Sequence, residues 1–250
     1  MYKVFDVIQG VLFDLGDTLI DFGRVDIDHL FAQGARLAYD YLRSLNQPLP
    51  DFSLFHRWQL RAIRFRWLIS RFTGREFNSM EVLGRISKKI GQKLTDKQTE
   101  ELAWLWYEPL SKCAKVEDGI INVLDELSSK GLKLAIVSNT FVPAVVLDRH
   151  LSQLGLLEYF PIRVYSCDVN YRKPDRRIFS ICLDRLNLSP QDAMFVGDQI
   201  KVDIIGAKRV GMVSVLKDPS GKKRHWRIRP DYRITSLKQL PGIINQHNLS

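Results

Sequence analysis

The chain has 250 residues, of which 45% are hydrophobic and 26% are charged, as is usual for a soluble globular protein. This composition excludes a disordered chain, a collagen-like repeat and a disulfide-stapled miniprotein, and no stretch approaches the roughly 18 apolar residues of a membrane span. The 37 Lys and Arg against 28 Asp and Glu give a net charge of +9, which favours anions such as phosphate esters, nucleic acid or acidic lipids.

The amino-terminal residues have neither the apolar core nor the cleavage site of a secretory signal, because Asp6 and Asp14 interrupt them. The three cysteines, Cys113, Cys167 and Cys182, are too scattered for a disulfide framework, and no Cys or His pattern indicates zinc. We therefore expect a cytoplasmic protein.

Five short apolar runs predict buried strands, and their near-continuous hydrophobicity is typical of a parallel sheet. They cover residues 7–14, 133–138, 161–167, 193–197 and 212–216. Between them, residues 117–130 and 174–186 have the apolar spacing of amphipathic helices, and Pro174 suits a first helical turn. This alternation predicts an α/β fold with helices on the faces of a parallel sheet.

Residues 21–114 interrupt the alternation with helical periodicity and no convincing pair of strands. We interpret them as an all-helical insertion, so that residues 1–20 and 115–250 form the sheet domain. The insertion is basic, with ten Lys and Arg but two Glu from Phe55 to Lys93, and a second basic run extends from Lys222 to Arg229. Four tryptophans are expected to fill the core of the insertion: Trp58, Trp67, Trp104 and Trp106.

Polar side chains follow the predicted strands, and residues at the carboxyl ends of parallel strands meet at one edge of a sheet. Asp14 ends the first strand, where a carboxylate can act as a nucleophile and form an acyl-phosphate. Ser138 and Asn139 end the second, where a hydroxyl and an amide can donate hydrogen bonds to a phosphoryl oxygen. Each of these elements alone is also compatible with an ordinary polar turn.

Two further elements supply opposite charges. Lys173 precedes a predicted helix, where its ammonium can approach an anion, although most lysines are merely solvated. Asp198 and Asp203 are five residues apart, at a strand end and in the first turn of the next helix. Together they can hold a hard cation such as Mg²⁺, and they are the most specific of these signals.

The segments VLFDLGDTL, VSNT, RKPD and GDQIKVD, in this order, resemble the motifs of the haloacid dehalogenase-like hydrolase superfamily. The resemblance implies a Rossmann-like parallel sheet with helices on both faces and an inserted all-helical cap domain of type one at residues 21–114. It also implies a Mg²⁺-dependent phosphatase that acts on a small phosphorylated metabolite. The Gly197–Asp198 pair with Asp203 resembles the phosphatase branch more than the metal-independent haloacid dehalogenases.

The resemblance also implies roles for single residues. Asp14 would attack phosphorus and become an aspartyl-phosphate. Ser138, with Asn139 beside it, would bind the phosphoryl oxygens, and Lys173 would neutralise charge between nucleophile and phosphate. The implied ligands of Mg²⁺ are Asp14, the main-chain carbonyl of Gly16, Asp198 and Asp203.

Gly16 departs from the phosphatase pattern, which has a second Asp two residues after the nucleophile as general acid and base. A positioned acid or base contributes about 10²-fold to 10⁴-fold to a rate. We therefore expect a weak phosphatase, one that favours leaving groups needing no proton, or one in which Asp17 or His56 substitutes. Alternatively, Gly16 permits a tight turn and another group serves without functional loss.

Two other functions stay open. A non-catalytic member of the same fold would bind a phosphorylated ligand or a protein partner; Gly16 favours this, whereas the retained carboxylates and Lys173 oppose it. Nucleic-acid end processing is suggested by the basic insertion and by Trp226 in the second basic run, although solvated basic surfaces are the more common outcome. The arginines of the insertion would suit a second anionic group on the substrate. The sequence predicts neither the metabolite nor the oligomeric state.

Overall fold

A six-stranded parallel sheet forms the centre of the computed structural model, which describes residues 7–221 and 227–249. The strands in chain order are β1 (Gly10–Phe13), β2 (Ile20–Asp21), β3 (Lys115–Val116), β4 (Lys133–Ser138), β5 (Ile162–Tyr165), β6 (Ala193–Gly197), β7 (Val213–Lys217) and β8 (Tyr232–Ile234). The short strands β2 and β3 form a separate antiparallel ribbon. The other six pair in the order β5-β4-β1-β6-β7-β8.

The predicted apolar runs contain four of these strands and overlap a fifth, β7, which extends one residue beyond the run at 212–216. The runs at 133–138 and 193–197 coincide with β4 and β6, whereas the run at 7–14 is longer than β1. Neither β8 nor the β2–β3 ribbon was predicted. β8 has three residues at the sheet edge, of which Ile234 alone is buried, so it carries almost no hydrophobic signal.

Helices cover both faces of the sheet. The helices in chain order are α1 (Ile27–Ser44), α2 (Phe52–Thr73), α3 (Ser79–Lys89), α4 (Asp96–Ser111), α5 (Ile120–Ser129), α6 (Ala144–Gln153), α7 (Ser166–Val169), α8 (Arg176–Leu186), α9 (Ile205–Val210) and α10 (Leu240–Asn248). Val11 and Phe13 of β1 pack in one apolar cluster with α5, α6 and α10, whereas Leu12 packs in a second with α8 and α9. This alternation confirms the predicted α/β fold.

The four helices α1 to α4 lie between β2 and β3, and we call them the helical insertion. Helices α1, α2 and α4 share a third apolar cluster that includes Tyr39, Phe55 and Leu102. Each of the four helices begins at a residue whose side chain accepts a backbone N–H, such as Asp51 for α2. Trp104 of α4 instead joins the larger cluster of the sheet. The insertion therefore packs directly on the sheet.

Two details of the sequence analysis are wrong. Trp58 and Trp67 do not fill the core of the insertion, since 39% and 41% of their surfaces are exposed. Helical spacing identifies an apolar face but not how completely a neighbour covers it. The helix predicted at 174–186 begins at Arg176, with Asp175 as its cap, so Pro174 precedes the helix.

Within residues 7–221 and 227–249, no helix is long and apolar enough to cross a membrane. Part of the second basic run, residues 222–226 with Trp226, lies outside the described residues, and so does Asp6.

Candidate active site

The carboxyl ends of three neighbouring strands carry three of the predicted site residues. Asp14 follows β1, Ser138 ends β4 and Asp198 follows β6. Because β1 lies between β4 and β6, these side chains occupy adjacent positions along one edge of the sheet. All three are buried or half-buried, so the edge is shielded from bulk water.

Lys173 is buried at this edge and connects two of the carboxylates. Its Nζ donates a hydrogen bond to Asp14 Oδ1 at 2.6 Å and lies 2.8 Å from Asp203 Oδ1. Burial alone would lower the pKa of Lys173, but the charges of Asp14 and Asp203 raise it above its ordinary value. The ammonium therefore stays protonated and supplies a fixed positive charge beside Asp14.

Asp14, Asp198 and Asp203 form a carboxylate cluster, in which one oxygen of each lies within 4.8 Å of the others. Burial raises the pKa of Asp14 to about 6, against the opposing effect of Lys173. Burial, followed by the charges of Asp203 and Asp14, raises the pKa of Asp198 to about 7. These carboxylates are therefore held together at an electrostatic cost.

The cluster fits a divalent metal ion. Asp198 Oδ1 is buried and has no hydrogen-bond partner among the described residues, so it is an acceptor available to a cation. Asp203 is oriented by a hydrogen bond from the backbone N–H of Gln199 to its Oδ2 at 2.9 Å. Oxygen ligands of this kind suit Mg²⁺ or Ca²⁺.

Gly197 allows this close packing. A Cβ at this position would lie 2.5 Å from Cβ of Asp203, which no real structure accommodates without movement. The glycine of the GDQIKVD segment thus brings the end of β6 against the π-helical turn Ile200–Ile204 that carries Asp203. In the sequence, this glycine stands out only as part of a motif.

Asn139 has a different environment from the one expected. Its Oδ1 accepts a hydrogen bond from the backbone N–H of Lys173 at 2.7 Å, and its Nδ2 donates one to the carbonyl of Lys173 at 3.0 Å. The side chain therefore fixes the backbone that carries the buried lysine. Its expected contact with a phosphoryl oxygen stays a prediction. This positioning contact was missed, because nothing in the sequence indicates which peptide group an amide will face.

Gly16 lies in the turn after β1. Asp17 and His56, the two candidates for the missing general acid and base, have different environments. Apart from Gly16 and its two chain neighbours, no atom of the described residues lies within 4 Å of the position that a Cβ of Gly16 would occupy. Asp17 is exposed and lines a surface depression together with Asp198 and Lys217. His56 lies on α2, where its ring stacks on Phe52 with centroids 5.9 Å apart. Asp17 is thus the one that lies beside the carboxylate cluster.

A cavity of about 400 Å³ opens between the helical insertion and the loop that follows β4. Its walls are mainly apolar and include Trp67, Trp106 and residues 141–143, which begin three positions after Ser138. Arg64 also lines it, but its guanidinium donates to Asp28 at 2.6 Å. The cavity thus offers mainly apolar surface, and none of the predicted site residues lines it.

The sequence and the fold were compared with known proteins. A family model described as haloacid dehalogenase-like hydrolase matches residues 8–211, a range that contains every predicted site residue. The chain belongs to this family. Residues 212–250, which contribute β7, β8 and α10, lie beyond the match to this hydrolase family.

Relatives within the family include named phosphatases. The ribulose-1,5-bisphosphate 5-phosphatase of Halopiger xanaduensis is 33% identical over 115 residues, which are 46% of this chain and 47% of that protein. The human haloacid dehalogenase-like hydrolase domain-containing protein 3 is 37% identical over 188 residues, which are 74% of this chain and 65% of that protein. The chain spans about half the length of the first of these relatives.

A solved structure of the family extends the comparison to the whole fold. The HAD phosphatase from Thermococcus onnurineus is 27% identical, and the match covers 95% of this chain and 98% of that one with a TM-score of 0.61. Because 95% of this chain is matched, the similarity includes the helical insertion as well as the sheet.

Proposed function

We propose that the protein is a Mg²⁺-dependent phosphatase that hydrolyses small phosphate monoesters through an aspartyl-phosphate on Asp14. The observation that supports this most is the buried Lys173 ammonium, 2.6 Å from Asp14 within a cluster of three carboxylates. A nucleophile, a fixed cation and a metal site beside one another are what phosphoryl transfer requires. The named phosphatases among the relatives support the same reaction.

The reaction has two steps. An oxygen of Asp14 forms a bond to phosphorus while the bond from phosphorus to the ester oxygen breaks, and the leaving oxygen takes up a proton or departs as an anion. Water then attacks phosphorus, which releases inorganic phosphate and restores Asp14. Lys173 holds charge beside Asp14 in both steps, and Ser138 donates a hydrogen bond to a phosphoryl oxygen.

Mg²⁺ would be held by Asp14, the main-chain carbonyl of Gly16, Asp198 and Asp203. When bound, it would neutralise the charge of the transferring phosphoryl group. The unpartnered Asp198 Oδ1 and the raised pKa values of Asp14 and Asp198 support a cation at this position.

Proton transfer is the weak part of this site, because Gly16 stands where a general acid and base is expected. Asp17 is the better placed substitute, since it lines the same depression as Asp198, whereas His56 packs on Phe52. We therefore propose slow turnover of esters with poor leaving groups. A non-catalytic protein that binds a phosphorylated ligand is the second candidate, and Gly16 is the observation that favours it.

The cavity beside β4 bears on the organic part of the substrate. Its largely apolar walls support a substrate with an apolar organic group better than one with a second anionic group, since Arg64 is already paired with Asp28. The first relative, whose name specifies a bisphosphate, supports a small phosphorylated metabolite in general. Free cysteines at 113, 167 and 182 support the cytoplasmic location that we infer.

The proposal is tested by assaying the purified protein on p-nitrophenyl phosphate with and without Mg²⁺. We expect Mg²⁺-dependent turnover that is lost in Asp14→Asn and retained in Asp40→Asn, a matched change at an exposed position of α1. Turnover that persists in Asp14→Asn would refute the nucleophile. No turnover in a protein that binds Mg²⁺ and phosphate would favour the binding function.

A further inference from the structure

Glu76, in the segment between α2 and α3 of the helical insertion, is buried against the sheet domain, with 1% of its side chain exposed. Its Oε2 accepts a hydrogen bond from Arg172 Nη1 at 2.6 Å and lies 3.1 Å from Ser166 Oγ. Its Oε1 accepts from Ser70 Oγ at 3.0 Å and from the backbone N–H of Phe77 at 3.3 Å. Both carboxylate oxygens are thus fully used as acceptors.

Arg172 completes this group by donating to Ser70 Oγ at 2.7 Å. We call Ser70, Glu76, Ser166 and Arg172 the Glu76 network. Two of its members come from the helical insertion and two from the sheet domain, although Glu76 and Arg172 are 96 positions apart in the chain. The network is therefore a buried polar junction between the two parts of the molecule.

The network reaches two of the backbone segments that carry site residues. Arg172 directly precedes Lys173, and Ser166 Oγ accepts a hydrogen bond from the backbone N–H of Thr140, next to Asn139, at 2.8 Å. Asn139 in turn pairs with the backbone of Lys173. A closed path of hydrogen bonds and peptide bonds thus joins Glu76 to Lys173 from two directions.

Two contacts of the same segment of the insertion strengthen this junction. The ring of Phe77 stacks on Phe141 with centroids 5.3 Å apart and planes 5° from parallel. The backbone N–H of Ser79 donates to the carbonyl of Phe141 at 2.9 Å. The loop after Ser138 is therefore held by the residues that immediately follow Glu76.

We propose that Glu76 is a positioning residue through which docking of the helical insertion sets the place of Lys173 and of the Ser138 loop. This inference rests on the proposed phosphatase function, in which Lys173 and Ser138 bind the phosphoryl group. A displacement of about 1 Å in such a group can cost about 10²-fold in rate. Through the buried carboxylate of Glu76, the site is thus assembled only when the helical insertion is docked on the sheet domain.

Glu76→Gln tests the proposal. Oε2 of Glu76 accepts from the guanidinium of Arg172 and Oε1 accepts from the backbone N–H of Phe77, and neither of these donors can accept a hydrogen bond. Either orientation of the glutamine amide therefore places its NH₂ group against a donor. We expect kcat to fall about 10-fold to 100-fold and the Kd for inorganic phosphate to rise by a similar factor. Glu101→Gln is the matched control, since Glu101 pairs with Arg149 across the same two parts at 2.6 Å but is exposed. It should leave both values within about 2-fold of the unmodified protein.

The double variant Glu76→Gln/Arg172→Gln separates positioning from stability, and it decides the question if the single variant does not fold. It removes both charges, so no charge is left buried alone, and its thermal midpoint should exceed that of Glu76→Gln. Its kcat and phosphate affinity should stay low. If kcat and phosphate affinity recovered together with the thermal midpoint, the network would only stabilise the fold. That result would overturn the proposal.

The two proposals fail in different ways. If the unmodified protein neither turns over p-nitrophenyl phosphate nor binds inorganic phosphate, the phosphatase function is wrong, and this inference falls with it. If the unmodified protein is active and Glu76→Gln keeps its kcat and phosphate affinity, the function stands and this inference alone is wrong.

Discussion

Replacing Gly16 with aspartate should increase the turnover of alkyl phosphates, because it supplies the acid that the site lacks. The structure has room for it: a Cβ at this position meets no atom within 4 Å, and Gly16 is not among the residues with left-handed φ. The neighbouring Asp17, with φ of 57°, keeps the turn after β1. We therefore expect the free energy of unfolding to change by about 0.5 kcal/mol or less.

The expected gain follows from the value of a positioned acid, about 10²-fold to 10⁴-fold. We expect the lower end, about 10²-fold or about 3 kcal/mol of transition-state stabilisation, because the new side chain has no packing contact at its Cβ to hold it in one place. The gain should appear in kcat for an alkyl phosphate and hardly at all for p-nitrophenyl phosphate, since nitrophenolate leaves without a proton.

The assay compares steady-state kcat and KM of the unmodified protein, Gly16→Asp and Gly16→Asn on both esters with Mg²⁺ present. Gly16→Asn has the size and shape of the aspartate but no acid, so it should match the unmodified protein. Equal gains in the two variants would show that the new carboxyl group does not act as an acid. Fast turnover of the alkyl ester by the unmodified protein would also refute the prediction, because another group would then already transfer the proton.

The carboxylate cluster and the cavity lead to four further predictions. Mg²⁺ affinity, measured by calorimetry, should increase between about pH 5 and pH 8 with release of protons, because Asp14 and Asp198 have pKa values of about 6 and about 7 without metal. These raised pKa values lower the free energy of unfolding of the metal-free protein as pH rises from about 4 to about 7. Asp198→Asn should therefore stabilise the metal-free protein at pH 8 by about 1–2 kcal/mol, a value reduced because Asp198 is only partly buried. Lys173→Met should abolish turnover and destabilise the fold by about 3–5 kcal/mol in urea unfolding, because it leaves Asp14 and Asp203 uncompensated. Naphthyl phosphate should have a lower KM than a phosphate ester of similar size with a carboxylate, and Trp67→Ala should reduce this preference.

Each of these four predictions would be contradicted by a specific result. An Mg²⁺ affinity that does not change with pH would mean that the carboxylates are already ionised. An Asp198→Asn variant less stable than the unmodified protein in EDTA at pH 8 would contradict the raised pKa. Lys173→Met should differ from Lys89→Met, an exposed control on α3; equal stability would contradict the buried ion pairs. Equal KM values for the two esters would exclude the cavity as the binding site.

The sheet could be predicted from the sequence because its strands are covered on both faces. Buried runs such as Ala193–Gly197 are apolar throughout, so both their position and their parallel pairing leave a clear signal. β8 and the β2–β3 ribbon are too short and too exposed to leave one. The exposure of Trp58 could not be predicted either, since it depends on what packs against α2 and not on the helix itself.

The candidate site likewise has features that could be predicted from the sequence and features that could not. Asp14, Ser138 and Asp198 could be placed together from the rule that parallel strands end at one edge. The two hydrogen bonds between the side chain of Asn139 and the backbone of Lys173 could not, because they depend on the conformation of a loop. The pair formed by Glu76 and Arg172 joins residues 96 positions apart, and no local pattern relates them.

Trapping the phosphoryl group on Asp14 shows directly whether this carboxylate is the nucleophile. The protein is mixed with p-nitrophenyl phosphate and Mg²⁺, quenched in acid during turnover and digested for peptide mass mapping. We expect the peptide containing Asp14 to gain the mass of one phosphoryl group, and we expect this adduct to be absent in Asp14→Asn. Turnover of the ester with no adduct on that peptide, or with an adduct on another residue, would contradict this role of Asp14.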